Sequence, residues 1–448
     1  MTEFALKDVI SACGGRPLFE AADVQIKDVT IDSRRVSNGS VFVCIKGERL
    51  DGHDFIESAL KNGAAAVISE KPAKGNIILV DSALDAFQSI AAAYAEQFDI
   101  PRIGVTGSVG KTTTKELLYS VLSQKYRTFK NEANLNSQTG VPITLLKLAP
   151  EYEAAVIEMG MSKFGEMDRL AKMVRPTLAV YTNIGESHIE FLGSKDGIFN
   201  AKTEMLKYLP ENALVIINGD DPILARIKAM RKNVVSCGFS EENDCYAYDI
   251  SERGFEGSEF TVSYKGKQTR AFMPAPGKYM ILNALVCVAA AEALGVEREL
   301  AIKGIASFIP PEGRMKIINT GRLTLLSDAY NANPTSVRAS IDTALSGSGR
   351  KVLILGDMYE LGENSPEYHR SIGEYAASKG ADIILTVGEL AKDIYDGAKK
   401  CGADVLWFAD TEDLHNALPS LLSGGDTVLV KASHGMHLER TAEYIKGL

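Results

Sequence analysis

The sequence predicts an α/β protein of three domains, and three observations carry that expectation. At 448 residues the chain is longer than one hydrophobic core can serve, so it should divide. Apolar runs of strand length alternate with helix-length polar–apolar segments, the pattern of parallel sheets covered on both faces. Between one such strand and one such helix stands a glycine-rich turn, GVTGSVGKTTT, at residues 104–114.

Residues 1–98 hold strand-like SVFVCIKG (40–47) and AAAVISE (64–70), with helix-like DFIESALKNGA between them. Residues 99–312 form the long alternating section. There IPRIGVTG, AAVIEMG (154–160), TLAVYTNIG (177–185) and ALVIING (213–219) read as buried strands. A β-rich insert from Cys245 to Met273 follows, with glycine-bearing turns between period-two runs. ILNALVCVAAAEALG (281–295) reads as a helix stopped by its glycine, and Pro310–Pro311 marks a hinge. Residues 313–448 repeat the alternation. KVLILGDM, DIILTVG, DVLWFAD and DTVLVKASHG are strands separated by amphipathic helices, which predicts a Rossmann-like doubly wound sheet with functional loops at strand C-terminal ends.

Composition narrows the function classes. Hydrophobic residues make up 45% and charged residues 24%, as in an ordinary globular protein. A net charge of -9 without any dense Lys/Arg tract argues against a nucleic-acid partner. The six cysteines (13, 44, 237, 245, 287 and 401) show no CxxC or His-linked spacing and read as reduced thiols of a cytoplasmic protein. MTEFALKDVISACGG carries acidic residues where a signal peptide needs an apolar run, and no run approaches the roughly 18 apolar residues of a membrane span.

The glycine-rich turn carries the chemistry. Gly107, Ser108, Val109 and Gly110 lead into a helix starting near Lys111 or Thr112, so backbone N–H groups of 107–113, Thr113 included, can cradle phosphate oxygens. Lys111 would reach the outer phosphates, and Thr112 would offer its hydroxyl to Mg²⁺. The longer GxxxxGK[ST] pattern is broken by Val105, but the core GxxGKT is intact. A plain glycine-rich turn is the bland reading; the flanking strand and helix favour phosphate. Glu158, where AAVIEMG ends a strand, is either a Mg²⁺ carboxylate or a solvent-facing cap. No NKxD guanine-reading motif occurs, which counts against a GTPase switch. His188 in NIGESHIEFLGS is either a ligand at the same sheet edge or a structural hydrogen-bonder. Lys202 in NAKTEML lies on a helix, where most lysines are merely solvated.

GVTGSVGKTTTKELL, KNEANLNSQTGVPITLL, VIEMGMSKFGEM, NIGESHIEFLGS and AKTEML, in that order and spacing, resemble the central domain of the Mur ligase family. DAYNANPTSVRASIDTAL and LGDMYELG resemble the branch of that family that adds D-alanyl-D-alanine, and VTIDSRRVSNGSVFVCIKGERLDGHDF resembles the UDP-binding domain of that branch and of its nearest relative, which adds the third amino acid. The similarity covers essentially the whole chain. It implies ATP-dependent ligation of D-alanyl-D-alanine to UDP-N-acetylmuramoyl tripeptide through an acyl phosphate, by a cytoplasmic monomer. By that resemblance Lys111 and Thr112 hold ATP and Mg²⁺, with two Mg²⁺ sites expected, and Glu158 and His188 are metal ligands. Asn283 contacts adenine, Arg314 reaches ATP from the hinge, and Asp328, Tyr330 and Asn331 close over the nucleotide. Ser33, Arg34, Lys46 and Gly47 contact UDP, and Asn134 and Asn136 lie near the transferred phosphate or the peptide. Lys202 matches a lysine that the family converts with CO₂ to a carbamate able to bind the second metal.

The chain departs from the family pattern at Tyr279–Met280 (commonly His-Asn), Ser327 (commonly Asp), Ala432 (Gly), and His434 and His437 (Arg). Neutral imidazoles hold anions less firmly than guanidinium groups, which weakens any phosphate role there. Two rivals remain: a folylpolyglutamate synthase-like ligase, disfavoured by the DSRR…DGHDF segment, and a non-enzymatic nucleotide-binding module, disfavoured by intact Lys111, Glu158, His188 and Lys202.

Overall fold

A computed structural model describes residues 3–22, 24–47, 49–311 and 313–448; the expected domain limits at residues 1 and 312 lie outside them. Three sheets organise the chain. The first runs in the order Arg16–Pro17, Ile77–Leu79, Ala66–Ser69, Ser40–Val43, Asp28–Thr30, parallel except at the Arg16–Pro17 edge. The second has nine strands. From Leu214–Asn218 it runs through Leu178–Tyr181, Arg102–Thr106 and Ala154–Glu158 to the edge strand Thr128–Lys130, all parallel. The third places Lys316–Asn319, Thr324–Ser327, Thr427–Lys431, Lys351–Gly356, Ile383–Val387 and Val405–Phe408 side by side, with only the first strand antiparallel.

Side chains alternate across the central sheet with period two, and both faces are dry. Ile103, Val105, Val156 and Val180 face the core built on helix Lys278–Ala293, while Ala155, Ile157, Ala179 and Tyr181 face the opposite core. That helix is buried at eleven positions around its circumference because the sheet, helix Lys111–Leu122 and helix Arg298–Ala306 enclose it. Full burial of each such Leu, Ile or Val stabilises the fold by about 1.5–3 kcal/mol.

Three features go beyond the sequence reading. The expected β-rich insert is no separate unit. Cys245–Glu252 pairs parallel to Val234–Gly238 and the hairpin Ser258–Tyr264/Lys267–Met273 continues the same sheet. The first domain also has no wholly private core on its inner face. Phe87, Ile90 and Tyr94 of helix Ala83–Ala95 join one continuous cluster with Val141, Leu145, Leu170 and Met173 of the central unit. The third sheet keeps two clusters of its own, one on each face. Strands Lys316–Asn319 and Thr324–Ser327, absent from the expected set, form its edge. Among the cysteines Cys44, Cys237, Cys245 and Cys287 are buried, Cys401 is exposed, and all six are free thiols. No described helix is long and apolar enough to cross a membrane.

Candidate active site

Strand Arg102–Thr106 delivers the chain to loop 107–110, and helix Lys111–Leu122 takes it away. Gly107 (φ 152°) and Gly110 (φ 83°) adopt backbone conformations that side chains disfavour, and a Cβ at Gly107 would lie 1.9 Å from Thr182 Oγ1. The neighbouring strand end braces the loop. Asn183 accepts the Val109 N–H on Oδ1 at 2.9 Å and the Ser108 N–H on its carbonyl at 3.0 Å. Thr182 Oγ1 donates to the Val109 carbonyl at 2.5 Å. With those N–H groups engaged, the phosphate cradle falls to the first turn of the helix, whose N–H groups have no carbonyl ahead of them.

Lys111 folds back on its own loop, donating from Nζ to the carbonyls of Gly107 at 2.7 Å and Ser108 at 3.3 Å. Burial draws its ammonium down to about 8, opposed by the Glu158 carboxylate and assisted by Arg314. Lys202, in helix Lys195–Thr203, is 1% exposed and brings Nζ to the same Gly107 carbonyl at 3.0 Å. Burial, and then the charge of Lys111, hold its amine well below the ordinary lysine value. Lys202 is therefore no solvated helix lysine; it does not line the cavity but is buried against loop 107–110 through the Gly107 carbonyl.

Glu158 closes strand Ala154–Glu158 and is 1% exposed, which removes the reading of a solvent-facing cap. Its Oε1 accepts from Asn136 Nδ2 at 2.7 Å and Thr112 Oγ1 at 3.1 Å. Its Oε2 has no hydrogen-bond partner among the described residues and lies 3.8 Å from Lys115 Nζ. A buried carboxylate oxygen left without a donor is costly, and a bound cation would satisfy it. His188 stands in left-handed backbone (φ 62°) with Nδ1 paired to Glu360 of the third domain. Among the described residues no three His, Cys, Asp or Glu side chains gather to hold a metal unaided. A Mg²⁺ fitting here would use Glu158 and Thr112 and leave further positions to phosphate oxygens and water.

Asn283, on helix Lys278–Ala293, is 6% exposed with a buried Nδ2 that finds no acceptor among the described residues. Tyr279 and Met280 line the same cavity, the former with its phenol pKa raised by burial. Arg314 donates to Thr112 Oγ1 at 3.3 Å and its guanidinium carbon lies 3.8 Å from the Tyr330 ring centre. Asp328 lines the cavity but is committed within the third domain. It accepts from Met315 N at 3.1 Å, Ser340 Oγ at 2.6 Å and the buried Lys431 Nζ at 2.5 Å. His434 stacks obliquely on Tyr330 at 5.4 Å, whereas His437 turns to Glu439 at 3.2 Å.

One cavity of about 790 Å³ brings Lys46 and Gly47 of the first domain together with the phosphate loop, Asn136, Glu158, His188, Asn283, Arg314, Tyr330 and Asn331. Ser33, Arg34 and Asn134 do not line it. Arg34 instead holds Asp32 through Nε at 2.9 Å and Nη2 at 2.8 Å, which keeps that carboxyl at about 2. The Asn134 carbonyl accepts the Asn136 N–H at 2.7 Å. The sequence reading missed four supporting residues. Asn131 clamps the end of Glu158's strand, accepting its N–H at 2.9 Å and donating to its carbonyl at 3.0 Å. Lys115, fully buried, donates to the Asn131 carbonyl at 2.9 Å. Asn183 and Lys431 complete the set, and nothing in their local patterns marks them.

Three family models match in chain order: the Mur ligase family catalytic domain over residues 25–106, the Mur ligase middle domain over 105–291, and the Mur ligase glutamate ligase domain over 313–434. The UDP-N-acetylmuramoyl-tripeptide–D-alanyl-D-alanine ligase of Bacillus subtilis is 39% identical, covering 94% of this chain and 93% of its own. The Escherichia coli protein of the same name is 33% identical, over 95% of each. Crystal structure I of MurF from Acinetobacter baumannii superposes with a TM-score of 0.93 at 31% identity, over 99% of both chains. MurF ligase from Thermotoga maritima, solved in complex with ADP, superposes with a TM-score of 0.85 at 31% identity, over 94% of this chain and 97% of that one. A three-sheet architecture with a phosphate loop at its centre, matched along nearly its whole length in sequence and structure, places this chain in the Mur ligase family.

Proposed function

We propose that this chain joins D-alanyl-D-alanine to the terminal carboxylate of UDP-N-acetylmuramoyl tripeptide, using ATP and passing through an acyl phosphate. The observation that carries the reading is the cavity in which Lys111, Glu158 and Arg314 converge between residues of all three domains. A carboxylate cannot acylate an amine while its leaving group is oxide; phosphorylation supplies a leaving group, and the task left to the protein is alignment and charge neutralisation.

The lining of the cavity supports the following division of labour. The UDP-linked substrate enters beside Lys46 and Gly47, ATP lies along loop 107–113 against Asn283, and the dipeptide approaches from the third domain. Lys111 exchanges the Gly107 and Ser108 carbonyls for phosphate oxygens, and Arg314, held flat by Tyr330, adds a second cation. Thr112 and Glu158 would hold Mg²⁺, which supplies charge neutralisation between the phosphates when bound. Asn136 keeps Glu158 oriented, and His188 offers its free ring nitrogen to the same space. The buried amine of Lys202, held well below the ordinary lysine value by burial and by Lys111, suits carbamate formation, which needs an unprotonated nucleophile for CO₂. A carbamate there would replace a cation with an anion suited to a second metal.

The domain roles assigned to 1–98, 99–312 and 313–448, the UDP contacts of Ser33 and Arg34, the place of Asn134, and a cytoplasmic monomer belong to the same proposal. The test is ADP release measured with each substrate omitted in turn. Turnover should require both UDP-N-acetylmuramoyl tripeptide and D-alanyl-D-alanine; turnover with a folate and glutamate instead would transfer the chain to the rival branch.

A further inference from the structure

The loop carrying His188 belongs to the central domain, yet successive residues of it are held by the third. Glu186 accepts from Thr335 Oγ1 at 2.6 Å, and Ser187 Oγ accepts from Asn333 Nδ2 at 2.6 Å. Ile189 packs against the third domain's core, and the Glu190 N–H donates to the Glu360 carbonyl at 3.3 Å. A Cβ on Gly362 would come within 3.3 Å of Glu190 Cα, so the two backbones are in close contact. Within this seam the Glu360 carboxylate meets His188 Nδ1. Both residues stand at φ 62°, a left-handed conformation that is strained for a residue with a side chain. Two strained residues facing each other across a domain boundary are held there by the contact they make.

An ionised carboxylate only accepts hydrogen bonds, so Nδ1 must carry the hydrogen, and in the neutral ring Nε2 is left with a bare lone pair. Nε2 makes no hydrogen bond among the described residues, and His188 lines the central cavity. A carboxylate that fixes the tautomer of an imidazole is the usual partner of a metal-binding histidine. Here that partner comes from a different domain.

We propose that Glu360 is a positioning residue for His188, so that seating of the third domain is what readies Nε2 to act in the central site. This rests on the reading that His188 serves the Mg²⁺–phosphate centre. The dipeptide is expected to bind the third domain, and the arrangement makes the metal site complete only when that domain is in place.

Two readouts test it. In ¹⁵N NMR of ring-labelled protein without nucleotide or metal, His188 should show a protonated Nδ1 and a bare Nε2, and E360A should lose that single tautomer. In ligation assays E360A should raise the Mg²⁺ concentration for half-maximal rate by about tenfold or more. The KM for the UDP-linked tripeptide should stay within about twofold, since Lys46 and Gly47 lie elsewhere. E360Q, which keeps the size and an acceptor but not the charge, should fall between. An E360A enzyme with unchanged His188 signals and unchanged Mg²⁺ dependence would overturn the proposal. H188A separates the two levels: full activity there removes the role given to His188, whereas an inactive H188A beside an unaffected E360A removes only the role given to Glu360.

Discussion

Lys111 and Lys202 bring their terminal nitrogens to one acceptor, the carbonyl oxygen of Gly107, at 2.7 and 3.0 Å. Two ammonium groups cannot share so small a buried space cheaply, and the cost falls mainly on Lys202, whose amine burial and then the charge of Lys111 hold well below the ordinary lysine value. Lys111 keeps the charge and is held in reserve on carbonyls that phosphate oxygens can replace. Lys111→Ala should therefore lower ligation by about 10²–10³-fold or more while leaving far-UV circular dichroism unchanged, because its ammonium supports no core. Substantial ATP-dependent turnover in a normally folded variant would sink the phosphate-loop assignment.

The lowered pKa of Lys202 has a thermodynamic signature. Its folded-state pKa is depressed, so between that value and the ordinary lysine value the unfolded chain binds more protons than the native one, and stability rises with pH. Relative to Lys202→Met, the wild-type protein should gain up to about 1.4 kcal/mol per pH unit through that window, measured by urea unfolding in CO₂-free buffer. A difference that stays flat from neutral to alkaline pH would mean Lys202 remains protonated in the fold. Lys202→Ala should lose ligation and recover part of it with a small added carboxylic acid.

Asn283 presents a buried Nδ2 with no acceptor among the described residues, a condition that costs about 1–3 kcal/mol and that a nucleotide base can relieve. Asn283→Ala should raise the KM for ATP by about tenfold, equivalent to the loss of one such hydrogen bond, while leaving the melting temperature unchanged or higher. A variant with reduced stability and an unaltered KM would identify Asn283 as a packing residue.

The half-buried Asp328 pairs with the buried Lys431 within the third domain. Burial pulls the Lys431 ammonium below its ordinary value, and Asp328 opposes that pull. Asp328→Ala strands the cation and should cost about 3–5 kcal/mol in chemical denaturation. Pairing it with Lys431→Met should restore much of the loss. Failure of the double variant to recover would show that Asp328 acts mainly through Met315 and Ser340.

What the sequence made legible was local. Gly107, Gly110, Lys111 and Thr112 lie within six consecutive positions between a strand and a helix, and Glu158 ends an apolar run, so pattern alone locates them. Their supports come from far along the chain. Asn183 reaches Val109 across 74 residues, Asn333 reaches Ser187 across 146, and Glu360 reaches His188 across 172. No periodicity encodes such pairings, because they depend on how the domains stack. The hairpin at 258–273 read correctly as β but not as an extension of the central sheet, since its register with the parallel strands is set by Cys245–Glu252 joining Val234–Gly238. Lys202 read as a surface lysine by helix position alone; only the fold shows it buried on the phosphate loop.

The acyl-phosphate step is tested most directly by following oxygen. UDP-N-acetylmuramoyl tripeptide labelled with ¹⁸O in its terminal carboxylate is incubated with ATP, Mg²⁺ and D-alanyl-D-alanine, and the products are weighed by mass spectrometry. If the γ-phosphoryl group is transferred to that carboxylate and then expelled by the dipeptide amine, each inorganic phosphate carries one ¹⁸O and the new amide keeps the other. Amide product accompanied by unlabelled phosphate, or no product with these substrates, would contradict the account.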